Sequence, residues 1–103
     1  MNGRARIEIP YEETEAFCRR HHIRKLSLFG SVLREDFGPD SDIDVLVEFE
    51  PEHVPGFIRL AGMELELSKI LGRRKVDINT PQCLSPYFRD EVLETADVQY
   101  AQR

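Results

Sequence analysis

The sequence predicts a small α/β (α+β) domain in which helices pack on one face of a short, mixed β-sheet. Residues 42–49 alternate between polar and apolar side chains, which is the pattern of a strand with one buried face. Residues 56–71 repeat apolar side chains at the spacing of one helix face. Two shorter apolar runs, at 26–30 and 76–79, are predicted to be further strands of the same sheet.

The length of the chain fits one domain. Its 103 residues are 41% hydrophobic and 32% charged, an ordinary composition for a soluble protein that buries one modest core. We therefore predict a single domain over residues 1–103. Residues 1–9 are predicted to be either loosely ordered or a short edge strand around Ile7 and Ile9.

The net charge of −5 is concentrated in one acidic stretch. Between Glu35 and Glu52 there are eight acidic residues and neither lysine nor arginine. Proteins that bind nucleic acid usually show a basic face, so direct nucleic-acid binding is not expected. The basic residues cluster instead at 19–25, near a predicted helix end, where cations complement the helix dipole. Contact of this cluster with a triphosphate or with RNA is the alternative.

Neither the cysteines nor the histidines follow a metal-binding pattern. Cys18 and Cys83 are isolated and are predicted to be buried free thiols, as in a reducing cytoplasm. His21, His22 and His53 are scattered, and none is predicted to bind a metal. The N-terminus lacks the apolar core of a signal peptide, and no run has the length of a membrane span. We therefore expect a cytoplasmic protein without membrane contact.

Two helices and one strand are predicted before the alternating strand. Residues 10–22 are predicted to be a helix, because a proline opens the segment, acidic residues occupy its first turns and basic residues its end. The strand at 26–30 follows and ends in a Gly-Ser pair. A short helix at 31–35 would then present its first backbone amides to an anion. Residues 38–41 are predicted to be a turn.

The helix at 56–71 is predicted to bury one stripe of side chains and to expose two apolar residues. It ends at Gly72, a common C-terminal stop. Its core stripe consists of Phe57, Leu60, Met63, Leu67, Ile70 and Leu71. Ile58 and Leu65 lie off that stripe, one above the other, and would be exposed on an isolated domain. They predict a second contact surface.

The C-terminal part of the chain adds a strand, a helix and a final short segment. Residues 76–79 alternate, with Asp77 on the face opposite its apolar neighbours. A Ser-Pro pair is a typical helix start, so residues 87–96 are predicted to be a helix, with Phe88 and Val92 facing inward. The residues after this helix indicate either a last short strand or a docking tail.

Two short motifs, which singly are common turns or polar loops, together predict a chemical function. Asp42 and Asp44 stand on the same face of a strand, about 6.5–7 Å apart at their bases, so their carboxylates can bind one cation or share a pair of cations. Oxygen ligands of this kind suit Mg²⁺ or Mn²⁺ rather than zinc. Gly30-Ser31 ends the preceding strand, where glycine permits close approach and the amides and the hydroxyl donate to phosphates. Nucleoside triphosphate chemistry requires both groups.

The spacing of these motifs resembles that of a known superfamily. Gly30-Ser31, ten residues and then Asp42-x-Asp44 resemble the signature of the DNA polymerase β-like nucleotidyltransferases. The short chain is similar to their minimal subgroup, the MNT proteins, known chiefly as antitoxins paired with HEPN-domain RNase toxins. The resemblance extends from about Leu26 to the end of the chain and implies the polymerase β-like nucleotidyltransferase fold.

The resemblance also implies roles for two residues outside these motifs. Asp77 lies on the strand after a helix, as does the third acidic residue of the family, which is commonly the base for the attacking hydroxyl. The alternative is a surface carboxylate at a strand edge. Arg34 lies where family members often have an arginine, and it would reach a phosphate. The alternative is a surface arginine paired with Glu35 or Asp36.

Taken together, the resemblance implies a Mg²⁺-dependent nucleotidyltransferase that acts as a protein adenylyltransferase. The implied site residues are Asp42, Asp44 and Asp77 for two Mg²⁺ ions, and Gly30, Ser31 and Arg34 for the phosphates of ATP. AMP would be transferred to a tyrosine hydroxyl of a cognate HEPN RNase toxin, within a hetero-oligomer, and would neutralise the toxin. Two alternatives remain: an antitoxin that acts by binding alone, and a nucleotidyltransferase that acts on a small molecule.

Overall fold

The computed structural model describes residues 7, 9–33, 38 and 41–102. Its elements in chain order are α1 (Tyr11–Arg20), β1 (Ile23–Phe29), β2 (Ile43–Phe49), α2 (Phe57–Ile70), β3 (Val76–Asn79), α3 (Arg89–Thr95) and β4 (Asp97–Ala101). Single 3₁₀ turns lie in the connections, at Gly30–Leu33, Pro51–His53 and Pro81–Cys83.

The strands form one mixed sheet in the order β3-β2-β1-β4. β1 pairs with β2 and with β4 in the antiparallel sense, whereas β2 and β3 are parallel. The parallel pair follows from the α2 crossover, because a strand that returns in the same direction needs a long connection. The predicted small mixed sheet is confirmed, and the segment after α3 completes it as β4.

The core lies on one face of the sheet, beneath helices α1 and α2. Its fully buried members include Phe17, Cys18, Ile23, Leu28, Val45, Met63 and Leu67. Alternate residues of β1 and β2 supply one side of the core, and the inward stripes of the two helices supply the other. This arrangement confirms the predicted packing of helices on one face. Among the described helices, none is long and apolar enough to cross a membrane.

Two apolar side chains that were predicted to be buried are exposed at helix starts. Phe57 is the first residue of α2 and is 92% exposed. Phe88 precedes α3, which begins at Arg89, and is 46% exposed. At these positions fewer neighbouring side chains surround the residue than in the middle of a helix. Ile58 and Leu65 are exposed, by 92% and 69%, as predicted.

The second face of the sheet is less open than the sequence predicted. The alternation of β2 predicted that Leu46 lies with the carboxylates on an open face of the sheet. In the structure Leu46 is buried, and so is Ser27, its partner in β1. The 3₁₀ turn at Pro81–Cys83 contacts β2, and Leu84 after it is buried as well. The segment that follows β3 therefore covers the middle of this face. The end of the face that bears Asp44 stays partly exposed.

The N-terminal segment and the cysteines differ in part from expectation. Ile7 and Ile9 pack partly buried against the core and lie in no strand, while the other residues before Ile9 are outside the described part of the chain. Cys18 is a buried free thiol as predicted, and burial raises its pKa to about 12. Cys83 is exposed instead, because it lies in a surface turn, where its sulfur accepts a 3.3 Å hydrogen bond from Thr80 Oγ1.

Candidate active site

Asp44 and Asp77 lie side by side at the same end of the sheet. β2 and β3 are parallel, and Asp44 is the direct partner of Asp77 in their register. Neighbouring strands are about 4.8 Å apart, and paired residues point to the same face. The fold therefore brings together two carboxylates that are far apart in sequence. Because two like charges at this distance repel each other, the pair favours a bound cation.

Gly30 approaches the Asp44 carboxylate from the opposite side. Phe29, the residue before it, is the partner of Asp44 in the pairing of β1 with β2. A Cβ atom on Gly30 would lie 2.5 Å from Asp44 Oδ2, and the Gly30 backbone has a φ of +76°. Both facts require glycine, because there is no room for a side chain and the left-handed backbone disfavours one. The 3₁₀ turn at Gly30–Leu33 thus begins directly against the carboxylate.

Asp42 precedes β2, which begins at Ile43 rather than at Asp42 as predicted. Ser31 Oγ donates a hydrogen bond of 3.4 Å to the backbone carbonyl of Asp42, so the two sequence motifs are joined directly. This bond is long and therefore weak. A phosphate oxygen would be a stronger acceptor for the same hydroxyl. On its other side, Asp42 Oδ2 is 3.8 Å from Lys75 Nζ in a partly exposed ion pair.

Lys75 is a neighbour of the site that the sequence analysis did not single out. It stands two residues before Asp77, and its backbone carbonyl accepts a 2.9 Å hydrogen bond from the Ile43 amide. The beginnings of β2 and β3 are therefore aligned. The sequence did contain an indication of this position. Lys75 comes just before the strand that carries Asp77, so the two residues lie at the same edge of the sheet. Arg74 also fixes this edge, since its Nη1 donates a 2.9 Å hydrogen bond to the Gly38 carbonyl.

The three aspartates form a donor set that suits a hard divalent cation. They offer only carboxylate oxygens, which Mg²⁺ and Mn²⁺ prefer. Within the described structure these oxygens are not all within 4.8 Å of one another. The Asp42 side chain is 42% exposed, and its carboxylate pairs with Lys75. Arg34 lies outside the described residues, and its predicted phosphate contact stays a prediction.

A cavity of about 420 Å³ lies beside Gly30. Its walls come from the end of β1, the 3₁₀ turn after it and α3, and they comprise Phe29, Gly30, Leu33, Phe88, Glu91, Val92 and Thr95. Phe88 and Val92, which were predicted to face the core, line this space instead. Because Phe29 is the strand partner of Asp44, the cavity adjoins the carboxylate end of the sheet.

Residues 12–97 match the family model of the nucleotidyltransferase domain. The chain belongs to this family. A Methanocaldococcus jannaschii protein, provisionally named a protein adenylyltransferase, is 36% identical to this nucleotidyltransferase domain over 78 residues, covering 75% of this chain and 80% of that protein. The protein adenylyltransferase MntA of Thermococcus cleftensis is 36% identical over 55 residues, or 53% of this chain and 54% of MntA. The predicted membership of the nucleotidyltransferases is confirmed.

Solved structures share the fold of this nucleotidyltransferase domain. One that is provisionally described as a minimal nucleotidyltransferase has 36% identity and a TM-score of 0.67, over 84% of this chain and 85% of that one. A toxin–antitoxin complex with AMP-PNP has 18% identity and a TM-score of 0.72, over 92% and 76% of the two chains. An MntA–HepT toxin–antitoxin complex has 17% identity and a TM-score of 0.64, over 89% and 70%. At such identities these two complexes show a common fold.

Proposed function

We propose that this domain is a Mg²⁺-dependent protein adenylyltransferase that transfers AMP from ATP to a tyrosine hydroxyl of a HEPN-domain RNase toxin and so neutralises it. The observation that carries the proposal is the position of Asp44. Asp77 is its direct strand partner on one side, and Gly30 lies against its carboxylate on the other. Cation ligands and a glycine turn suited to phosphates therefore meet at one place. Relatives named as protein adenylyltransferases support a protein acceptor.

The carboxylates would organise the reaction. Asp42, Asp44 and Asp77 would hold two Mg²⁺ ions, which when bound neutralise triphosphate charge and make a coordinated hydroxyl more acidic. Lys75, already paired with Asp42, keeps a positive charge at this edge of the sheet. Asp77 would accept the proton of the attacking hydroxyl. The acceptor oxygen then bonds to the α-phosphorus, and the bond from that phosphorus to pyrophosphate breaks.

The turn after β1 would position the triphosphate. Ser31 Oγ and the backbone amides that follow Gly30 would donate hydrogen bonds to the β- and γ-phosphates, with Arg34 as a further cation. These groups perform no covalent chemistry. Their contribution is to fix the α-phosphorus in line with the acceptor and to stabilise the developing charge.

The cavity beside Gly30 is our candidate for the nucleobase. It offers an aromatic ring in Phe88, an apolar wall in Val92 and a carboxylate in Glu91 that accepts hydrogen bonds. A stacked base with an amino group, such as adenine, matches this combination. Guanine and cytosine also carry such an amino group, so the choice of ATP rests on the relatives named as protein adenylyltransferases.

The toxin would dock on the exposed apolar side chains of α2. Ile58 and Leu65 are separated by two helical turns and so share one face of the helix. The β4 end of the chain, where Val98 is half-exposed, is a separate candidate contact for the toxin. We choose a toxin as the occupant because solved structures with this fold are toxin–antitoxin complexes.

The deciding experiment follows the α-phosphate of ATP. The chain is incubated with Mg²⁺ and α-labelled ATP, alone and with the product of its neighbouring gene as candidate toxin. Label should appear on a tyrosine of that partner. Asp44→Asn should reduce the rate by about 100-fold or more while the domain stays folded, because transition-state stabilisation is lost and packing is not. Glu12→Gln, which neutralises an exposed carboxylate in the first turn of α1, is the control and should keep the wild-type rate.

Other results would favour the two alternatives. Absence of label, with toxicity still blocked by both the wild type and Asp44→Asn, would indicate an antitoxin that acts by binding alone. Label on a small acceptor, but on no protein, would indicate a small-molecule nucleotidyltransferase. Full activity of Asp44→Asn would contradict the proposed site itself.

A further inference from the structure

A second group of potential metal ligands lies at the far end of the sheet from the aspartates. His22 precedes β1, Glu50 follows β2, and His53 ends the next 3₁₀ turn. One ligand atom from each of the three lies within 4.8 Å of the other two, and among the described residues no other group of three or more His, Cys, Asp or Glu side chains meets this criterion. The histidines that appear scattered in the sequence are thus partly gathered by the fold.

Main-chain hydrogen bonds fix the relative positions of these residues. The Glu50 amide donates a 2.9 Å bond to the His22 carbonyl, and the His53 amide donates a 2.9 Å bond to the Glu50 carbonyl. His22 has a φ of 55°, a left-handed conformation that turns the chain sharply between α1 and β1. The three side chains therefore project from a bonded framework rather than from independent loops.

The side chains are arranged as an open ligand set. The rings of His22 and His53 stack with their centroids 3.6 Å apart and their planes 10° from parallel. His22 Nδ1 is 3.7 Å from Glu50 Oε2, which also accepts a 3.3 Å hydrogen bond from Gln102 Nε2. His53 is exposed and the other two ligands are half-exposed, so an ion has direct access from solvent.

We propose that His22, Glu50 and His53 bind one divalent transition-metal ion of the zinc class, with water completing the coordination. Two imidazoles and one carboxylate suit zinc, which commonly takes three protein ligands and one water. Nitrogen ligands also favour zinc, nickel and copper over magnesium, so the chemistry differs from that of the all-oxygen set of aspartates. A modest opening of the stacked rings would bring a nitrogen of each to the ion.

The bound ion would act as a clamp on the sheet and not as a reactant. Ile23 pairs with Phe49, and Phe29 pairs with Asp44 at the opposite end of the same two strands. Strands of seven residues separate these ends by about 20 Å. The ion would link the start of β1 to the end of β2, and through Gln102 to the residue after β4. This proposal does not depend on the proposed function.

The test uses the full chain without an affinity tag and stripped of metal by a chelator. Zn²⁺ is titrated by calorimetry, and Co²⁺ is used as a spectroscopic probe of nitrogen ligation. We expect one equivalent of Zn²⁺ per chain and a melting temperature that rises with Zn²⁺ concentration. His53→Ala should weaken binding by about 10-fold or more and shift the rise to correspondingly higher Zn²⁺ concentrations. Because His53 is exposed, the variant should keep the metal-free melting temperature of the wild type.

Three control variants separate this site from other ligands in the chain. Glu52→Gln removes an exposed neighbouring carboxylate that is not in the cluster, whereas Glu50→Gln removes a ligand. Cys83→Ser removes the exposed thiol, and Asp42→Asn/Asp44→Asn disables the candidate active site. Among the variants of this second set, Glu50→Gln alone should weaken Zn²⁺ binding, as His53→Ala does. The proposal is overturned if the wild type binds no Zn²⁺, or if binding survives in His53→Ala and disappears in Cys83→Ser or in the double aspartate variant.

Discussion

Adding one methyl group at Gly30 should reduce activity much more than it reduces stability. In Gly30→Ala the new Cβ would lie 2.5 Å from Asp44 Oδ2, at a φ of +76°. The left-handed backbone should cost about 1–2 kcal/mol of folding free energy. Displacement of the carboxylate should reduce adenylyl transfer by about 100-fold, more than this loss of stability accounts for. Labelled transfer and thermal unfolding, measured on the same preparation, would check both expectations.

Gly62→Ala is the matched control. Gly62 lies within α2, and a Cβ atom there would meet nothing within 4 Å. Alanine should therefore stabilise the domain by about 0.5–1 kcal/mol and leave the transfer rate unchanged. Equal rates for Gly30→Ala and the wild type would mean that the Gly30–Asp44 contact is not part of the active site.

His21 makes the contact between two helices sensitive to pH. It follows α1, and its Nε2 lies 2.9 Å from Glu66 Oε1 of α2. Burial lowers the His21 pKa from its ordinary value of 6.5, and the cations Arg20 and Arg59 lower it further. The unfolded chain then takes up a proton more readily than the folded one. The contribution of His21 to stability should therefore be complete above pH 6.5 and be lost as the pH falls through its folded-state pKa.

Thermal unfolding between about pH 7.5 and 5 would measure this effect. The melting temperature of the wild type should fall more steeply below pH 6.5 than that of His21→Gln, which cannot titrate at this position. The difference between the two curves isolates His21 from the carboxylates that titrate in the same range. Parallel curves would show that the helix contact does not depend on the His21 charge.

Helices and strands that are determined by nearby residues could be predicted from the sequence, and those determined by distant contacts could not. The structure has β3 at 76–79, as the alternation predicted, because flanking turn residues and period-two patterning are local signals. β1 begins at Ile23, earlier than predicted, because Arg24 and Lys25 conceal the pattern and pairing with β2 and β4 imposes the strand. The burial of Leu46 required the turn after β3, which no pattern within β2 indicates.

The two candidate sites likewise contain some residues placed by the local sequence and others placed only by strand pairing. The positions of Gly30 at the end of β1, and of Asp44 and Asp77 on strands, were predictable from the local apolar runs and alternation, whereas Asp42 lies before β2 and not on it as predicted. Lys75 immediately precedes β3, so its place at this edge of the sheet was predictable, but its contact with Asp42 depends on the parallel register of β2 and β3. The meeting of His22 with His53 depends on the antiparallel β1–β2 pair, which brings together residues that are distant in sequence.

The exposed apolar side chains of α2 lead to a prediction about binding to a partner protein. If the proposed toxin docks here, Ile58→Asp/Leu65→Asp should weaken its complex by about 10-fold or more, because two charges would be placed in the proposed apolar interface. Both side chains are exposed, so the unfolding temperature should stay close to that of the wild type. Calorimetric titration of the toxin measures the affinity, and labelled ATP measures transfer at saturating toxin. Transfer should recover at saturation, because the substitutions lie outside the carboxylate site.

Gln82→Asp introduces a charge at an exposed position of another surface and should leave the affinity unchanged. Equal weakening by Gln82→Asp would indicate a general effect of negative charge on this acidic chain, whose net charge is −5. Unaltered binding by the double variant would move the interface away from Ile58 and Leu65. The half-exposed Val98 of β4 would then be the next apolar position to test, since that end of the chain is a separate candidate contact.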